Sequence, residues 1–184
     1  MSNFRKLAKG IPVTAALAEV IKNDYWNWLN LRRLFLGSCH REVDDVVMRF
    51  AKIDYPATMM SVMDDLSSVS YAPWYLHPKV TDLIFTEIRK YLNDNLVPLG
   101  RVMVTKLRPG GRIYPHRDEG GYARVHMRFH LALQSGGAGC VFRCGTEKVT
   151  MATGELWWFD HEKEHEVIND ESVDRIHLIA DFHR

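Results

Sequence analysis

The feature that most narrows what this chain can fold into is a series of short alternating segments that begins after Pro98. Apolar and polar residues trade places at every second position there, and Gly110-Gly111, Gly136-Gly137 and Gly154 interrupt the runs. Period-two alternation belongs to strands, because successive side chains of an extended chain point to opposite faces. Strands are expected near 101–107, 112–116, 125–134, 139–143, 147–151, 155–159, 164–169 and 175–182. Eight short strands joined by glycine turns suit two facing sheets rolled into a barrel. The expected fold is therefore mainly β with flanking helices: a double-stranded β-helix, or jelly roll, backed by N-terminal helices.

Two of these strands carry charge on one face. His126, Arg128 and His130 alternate with Val125, Met127, Phe129 and Leu131, and Arg175, His177, Ile179 and Asp181 alternate with Ile176, Leu178, Ala180 and Phe182. On a one-sided sheet such a polar face is simply solvated. Inside a barrel both faces are covered, and a buried guanidinium then needs an anionic partner. Its planar fork matches a carboxylate through two parallel bonds.

His116 and Asp118 sit two apart in YPHRDEGG, so an extended segment points both the same way. His165 lies far along the chain, in WWFDHEKEHEV. Two imidazoles and one carboxylate leave three positions of a six-coordinate metal open, which suits Fe(II) that must also hold a cosubstrate and O2. His116 alone reads as a surface histidine. Taken with Asp118, His165 and Arg175, ten residues beyond His165, it points to a metal beside an anion site. If strand geometry holds at His165, Glu164 and Glu166 point away from the metal.

The pieces RPGGRIYPH, RFHLAL, FDHEKEHEV and DRIHLIADFH, in this order, resemble the Fe(II)/2-oxoglutarate dioxygenases, and among them the aspartyl/asparaginyl β-hydroxylase family. The resemblance is close from about residue 100 onward and loose before it. It implies a cupin-like oxygenase domain over 1–184, with 1–100 as a helical and loop N-terminal part and 101–184 as the catalytic barrel. It implies Fe(II) on His116, Asp118 and His165, with 2-oxoglutarate as cosubstrate. Arg175 would hold the far carboxylate, beside Thr105 at a position where relatives carry serine. Arg128 and His130 would flank the near carboxylate. The implied reaction uses O2, with ascorbate as a stimulant, to hydroxylate an unactivated C–H of an amino acid or of an Asp/Asn-type side chain. Succinate and CO2 are the coproducts, and the partner is a small amino acid or a protein or peptide.

Asp118 departs from the better-known peptide hydroxylases, which carry a non-ligating residue there, and matches amino-acid oxygenases with the same barrel. A free amino-acid hydroxylase, proline-hydroxylase-like, is thus an alternative, as is a non-catalytic cupin-like module that senses 2-oxoglutarate. A halogenase would need that position vacant for chloride. His161 is assigned to the loop leading into His165, and His177 to structure.

Before Pro98 a helix is expected over 12–22, with Val13, Leu17, Val20 and Ile21 near one face, and another over 80–96 backing a sheet. Trp26 and Trp28 suit core packing, or else the rim of the site. A short strand is expected around 46–50, and His40 reads as a surface or substrate-side residue. Prolines at 56, 73 and 78 make 51–79 loop-like, a candidate substrate wall with Tyr71, Trp74, Tyr75 and His77. Arg117, Arg124 and His126 are placed at the mouth.

Composition excludes several classes. With 24 basic and 23 acidic residues, net +1, nothing argues for nucleic acid as a partner. No apolar run approaches the roughly 20 residues that span a bilayer, so no membrane is expected. MSNFRKLAKG lacks the apolar core of a signal peptide. Cys39, Cys140 and Cys144 form no disulfide framework, and a reducing, cytoplasmic setting is expected.

Overall fold

The computed structural model describes residues 2–28, 37–50, 74, 76, 80–92 and 98–184. All eight expected strands form. They are β3 (Leu99–Leu107), β4 (Arg112–His116), β5 (His126–Gln134), β6 (Cys140–Cys144), β7 (Glu147–Val149), β8 (Leu156–Phe159), β9 (His165–Asn169) and β10 (Arg175–His183). Two more precede them: β1 (Phe4–Ala8), for which no strand was expected, and β2 (Val43–Arg49), which starts earlier than the 46–50 expectation.

The strands pair antiparallel into a major sheet, β1-β8-β5-β10-β3-β2, and a minor sheet, β4-β9-β6-β7. The two sheets face each other as the jelly roll requires.

The major sheet is buried on both faces. Phe129, Leu131, Leu133, Leu178, Ala180 and Phe182 join an outer core with Ala16, Val20, Ile84 and Ile88 from the helices. A second core, including Phe4, Leu107, Phe142, Trp157 and Phe159, fills the space between the sheets. The alternation expected along β5 and β10 is thus real, and the charged face points inward.

The helix α1 (Thr14–Asn23) buries Ala16 and Val20, while Ile21 is exposed. One residue past Val20 the helix has already turned by about 100°, so Ile21 leaves the face assigned to it. The second helix, α2, opens as Val80–Leu83, widens to a π turn at Ile84–Ile88 and closes at Arg89–Tyr91. Its buried line is Val80, Ile84 and Ile88, with Tyr91 exposed. A short α3 (Gly121–Val125), for which no helix was expected, leads into β5.

Among the described residues no helix is long and apolar enough to cross a membrane. The three cysteines are free. Most of the 51–79 loop, with Tyr71, Tyr75 and His77, lies outside the described residues. Trp74 pairs with Arg49 and packs on the outer core.

Candidate active site

The minor sheet brings the two histidines together. His116 ends β4, His165 opens β9, and the register sets them directly opposite. Their ring centroids are 4.2 Å apart. Asp118 follows in the loop after β4, its Oδ1 3.9 Å from His116 Nε2. One ligand atom from each of the three lies within 4.8 Å of the others, close enough to share one ion.

Each histidine is held in one tautomer. His116 Nδ1 donates to the Tyr114 carbonyl at 2.7 Å, and His165 Nδ1 donates to the Lys163 carbonyl at 2.8 Å. A donating Nδ1 leaves the lone pair on Nε2, the form a metal ligand needs. Burial pushes His165 down to about 4, so it is neutral near pH 7. Asp118 donates its backbone N–H to the His161 carbonyl at 3.0 Å, and the His161 ring is tied to the Ala123 carbonyl. His161 therefore anchors Asp118 as well as leading into β9.

A row of charge crosses from Asp118 to the major sheet. Arg128 donates to Asp118 through Nη1 and to Asp181 through Nε and Nη2, at 2.8 and 2.9 Å. Burial opposes ionisation of Asp118, yet Arg128, helped by His165 and His116, holds its carboxyl well below the usual range. Burial likewise opposes the charge of Asp181, and Arg128 again lowers it. Arg128 is thus committed to two protein carboxylates. The role of Asp181 was not read from the sequence, although its inward direction was.

A pocket opens beside the histidines. Thr105, Arg128, His130 and Arg175 line it together with His116 and His165, so the residues singled out from sequence converge. Ile113, Phe142, Phe159 and Val167 supply apolar wall, and His40 also lines it.

Arg175, 3% exposed, has no carboxylate partner among the described residues. Its Nη2 donates to His177 Nδ1 at 3.0 Å, and burial pushes its pKa down to about 10. Thr105 Oγ1 and both ring nitrogens of His130 are buried without a hydrogen-bond partner among the described residues. Burial, with His177 and Arg175 nearby, holds His130 well below the ordinary imidazole range. These groups form a cradle of unmet donors.

His126 does not reach the mouth. It is 1% exposed and stacks on Tyr122 at 3.8 Å. The short turn of α3 swings it under that ring. Arg117 and Arg124 are exposed and lie outside the pocket lining. Glu164 is exposed and Glu166 half-buried beside Arg143, both off the pocket lining.

Known proteins share this architecture. At a TM-score of 0.61 and 14% identity, the chain superposes on a viral collagen prolyl hydroxylase from Paramecium Bursaria Chlorella virus-1, solved with 2OG, covering 99% of this chain and 96% of that one. A 2OG-Fe(II) oxygenase family oxidoreductase from Burkholderia pseudomallei aligns at 0.60 and 12%, covering 98% and 84%. The fold is that of the 2OG-Fe(II) oxygenases. The family model for aspartyl/asparaginyl beta-hydroxylase matches residues 75–184, more than half of the chain. The chain belongs to the aspartyl/asparaginyl β-hydroxylase family. It is 34% identical over 82 residues to the aspartyl/asparaginyl beta-hydroxylases of Homo sapiens and Mus musculus, a stretch that is 45% of this chain. That stretch is about a tenth of the length of those relatives.

Proposed function

We propose that the protein is an Fe(II)/2-oxoglutarate-dependent dioxygenase that hydroxylates an unactivated C–H of an amino acid or of an Asp/Asn-type side chain. The observation that carries this reading is Arg175: a buried guanidinium without a carboxylate partner among the described residues, in a pocket also lined by two Nε2-presenting histidines that cluster with Asp118. A diacid that also chelates a metal satisfies both ends at once.

The donor set fits the metal. His116 and His165 present Nε2, and Asp118 presents Oδ1 while Oδ2 is held by Arg128. The cradle fits the diacid. Arg175 takes the far carboxylate with Thr105 Oγ1 donating beside it, and neutral His130 donates an N–H to the near one. When bound, iron and 2-oxoglutarate supply the oxidant that converts C–H to C–OH, with O2 consumed and succinate and CO2 released. Phe142, Phe159 and Ile113 keep bulk water from the reacting end. Because Arg128 already serves two carboxylates, its part at the near carboxylate is limited to its remaining N–H groups.

The test is anaerobic reconstitution with Fe(II), then addition of O2, 2-oxoglutarate and a panel of free amino acids and Asp- or Asn-containing peptides. Succinate release matched to a gain of one oxygen in one substrate class supports the reading and separates free amino acid from peptide. No succinate from any mixture, with or without ascorbate, refutes it.

A further inference from the structure

Asp181 does not line the pocket, yet it governs how the pocket's charges are arranged. On β10 it sits directly across from Arg128 on β5, so the sheet register itself sets the pair. Its two oxygens accept from Nε and Nη2 of Arg128 at 2.8 and 2.9 Å, which fixes the plane of the guanidinium. A fixed plane leaves only Nη1 directed at Asp118, and Nη1 bonds Oδ2. The other oxygen, Oδ1, faces His116 Nε2.

We infer that Asp181 is a positioning residue for the metal: it holds the Arg128 fork so that Asp118 is gripped by one oxygen and offers the other. The inference rests on the reading of His116, Asp118 and His165 as ligands. Two physical effects follow from it. With Asp181 ionised, its charge offsets that of Arg128, so the guanidinium beside Asp118 adds little net positive charge to repel a divalent ion. Without Asp181, a guanidinium with no second carboxylate turns to take both oxygens of Asp118, the fork geometry it prefers, and competes with the metal for Oδ1.

The measurement is Co2+ affinity, read from its visible absorption on titration into the metal-free protein. Asp181→Asn keeps the shape and removes the charge. Its Co2+ affinity is expected to fall about 10- to 100-fold, as for other residues that orient metal ligands. 2-Oxoglutarate affinity at saturating metal is expected to stay within about threefold. In an Asp118→Ala background the same substitution is expected to change Co2+ affinity less than about threefold, because the residue through which it acts is gone. A merely structural Asp181 would lower thermal stability equally in both backgrounds and leave metal affinity alone.

If Asp181→Asn does not fold, the paired change Arg128→Met with Asp181→Leu replaces the ion pair by apolar volume, a swap buried pairs often tolerate. It releases Asp118 from the grip of Arg128, so Co2+ affinity is again expected to fall, though by less than in Asp181→Asn because no guanidinium competes for Oδ1. Wild-type Co2+ affinity in whichever variant folds overturns this inference alone. A wild-type protein that takes up no Co2+ overturns the ligand reading and this inference with it.

Discussion

Arg175→Met separates an anion-binding arginine from a structural one, because the two roles predict opposite effects on stability. In the free protein Arg175 is buried, and burial moves its pKa from 12.5 to about 10, which corresponds to about 3 kcal/mol against the charged form. Methionine keeps most of the side-chain length and removes that charge. The bond to His177 Nδ1 is lost as well, which costs about 1 kcal/mol. The metal-free variant is thus expected to be as stable as wild type or more stable, by about 0–2 kcal/mol. For a chain of this size that is an unchanged thermal midpoint or a rise of up to about 8 °C.

Binding should move the other way. A bidentate guanidinium–carboxylate contact supplies two charge-assisted hydrogen bonds of about 1.5–3 kcal/mol each, so 2-oxoglutarate affinity should drop by more than about 100-fold. The assay uses Mn2+-loaded protein and scans the thermal midpoint against 2-oxoglutarate. At a concentration of about 100 times the dissociation constant, wild type gains about 2.7 kcal/mol, and the variant gains less than about 0.4 kcal/mol at the same concentration. If Arg175→Met binds 2-oxoglutarate within threefold of wild type, or loses several degrees without ligand, Arg175 is a structural residue and the reasoning fails.

Other outcomes are expected. His165→Ala should fold, bind Co2+ at least 100-fold more weakly and release no succinate; normal succinate release from it would remove His165 from the ligand set. The metal-free protein should lose stability as pH falls from 6.5 toward 4, because the unfolded chain protonates histidines that burial keeps neutral when folded, namely His165, at about 4, with His130 and His177 well below the usual imidazole value. His165 alone contributes a loss of about 2 kcal/mol between pH 7.5 and pH 5, and denaturant melts with the same midpoint at both pH values would contradict this. Gly154→Ala should cost about 2 kcal/mol and lower the midpoint by about 4–8 °C. Gly154 has φ +78°, and a Cβ there would meet the Ile11 carbonyl at 2.7 Å; an unchanged melt would show that this turn relaxes freely.

Much of the barrel was legible because β5 and β10 alternate cleanly, and burial on both faces left their charges nowhere to point but inward. What escaped depended on pairing. In β1, FRKLA buries little beyond Phe4, so no period announces a strand; its partner β8 makes it one. In β2, Asp44 and Asp45 are buried within VDDVVMR and break the apolar pattern. Asp44 is tolerated there because it accepts from Arg108 at 2.7 Å and Asn27 at 2.6 Å, contacts that composition does not reveal. The approach of His116 to His165 depends on β4–β9 register, which the pattern of His116, Asp118, His165 and Arg175 and the family resemblance implied without showing the pairing. Asp181 was seen to face inward, but its grip on Arg128 is a cross-strand relation that a one-dimensional pattern does not contain. His126 was misplaced because the alternation gave its side of the sheet and not its depth beneath Tyr122.

The two sheets divide the site between them: His116 and His165 come from the minor sheet, while Thr105, Arg128, His130 and Arg175 come from the major one. A chelated diacid would then act as a rivet through the sandwich, one end fastened to each layer. Metal by itself, or diacid by itself, engages chiefly one layer and should tighten the protein modestly. Supplied together they should slow amide hydrogen exchange along β4 and β9 by more than the product of their separate effects, so that the layers breathe only when the rivet is out.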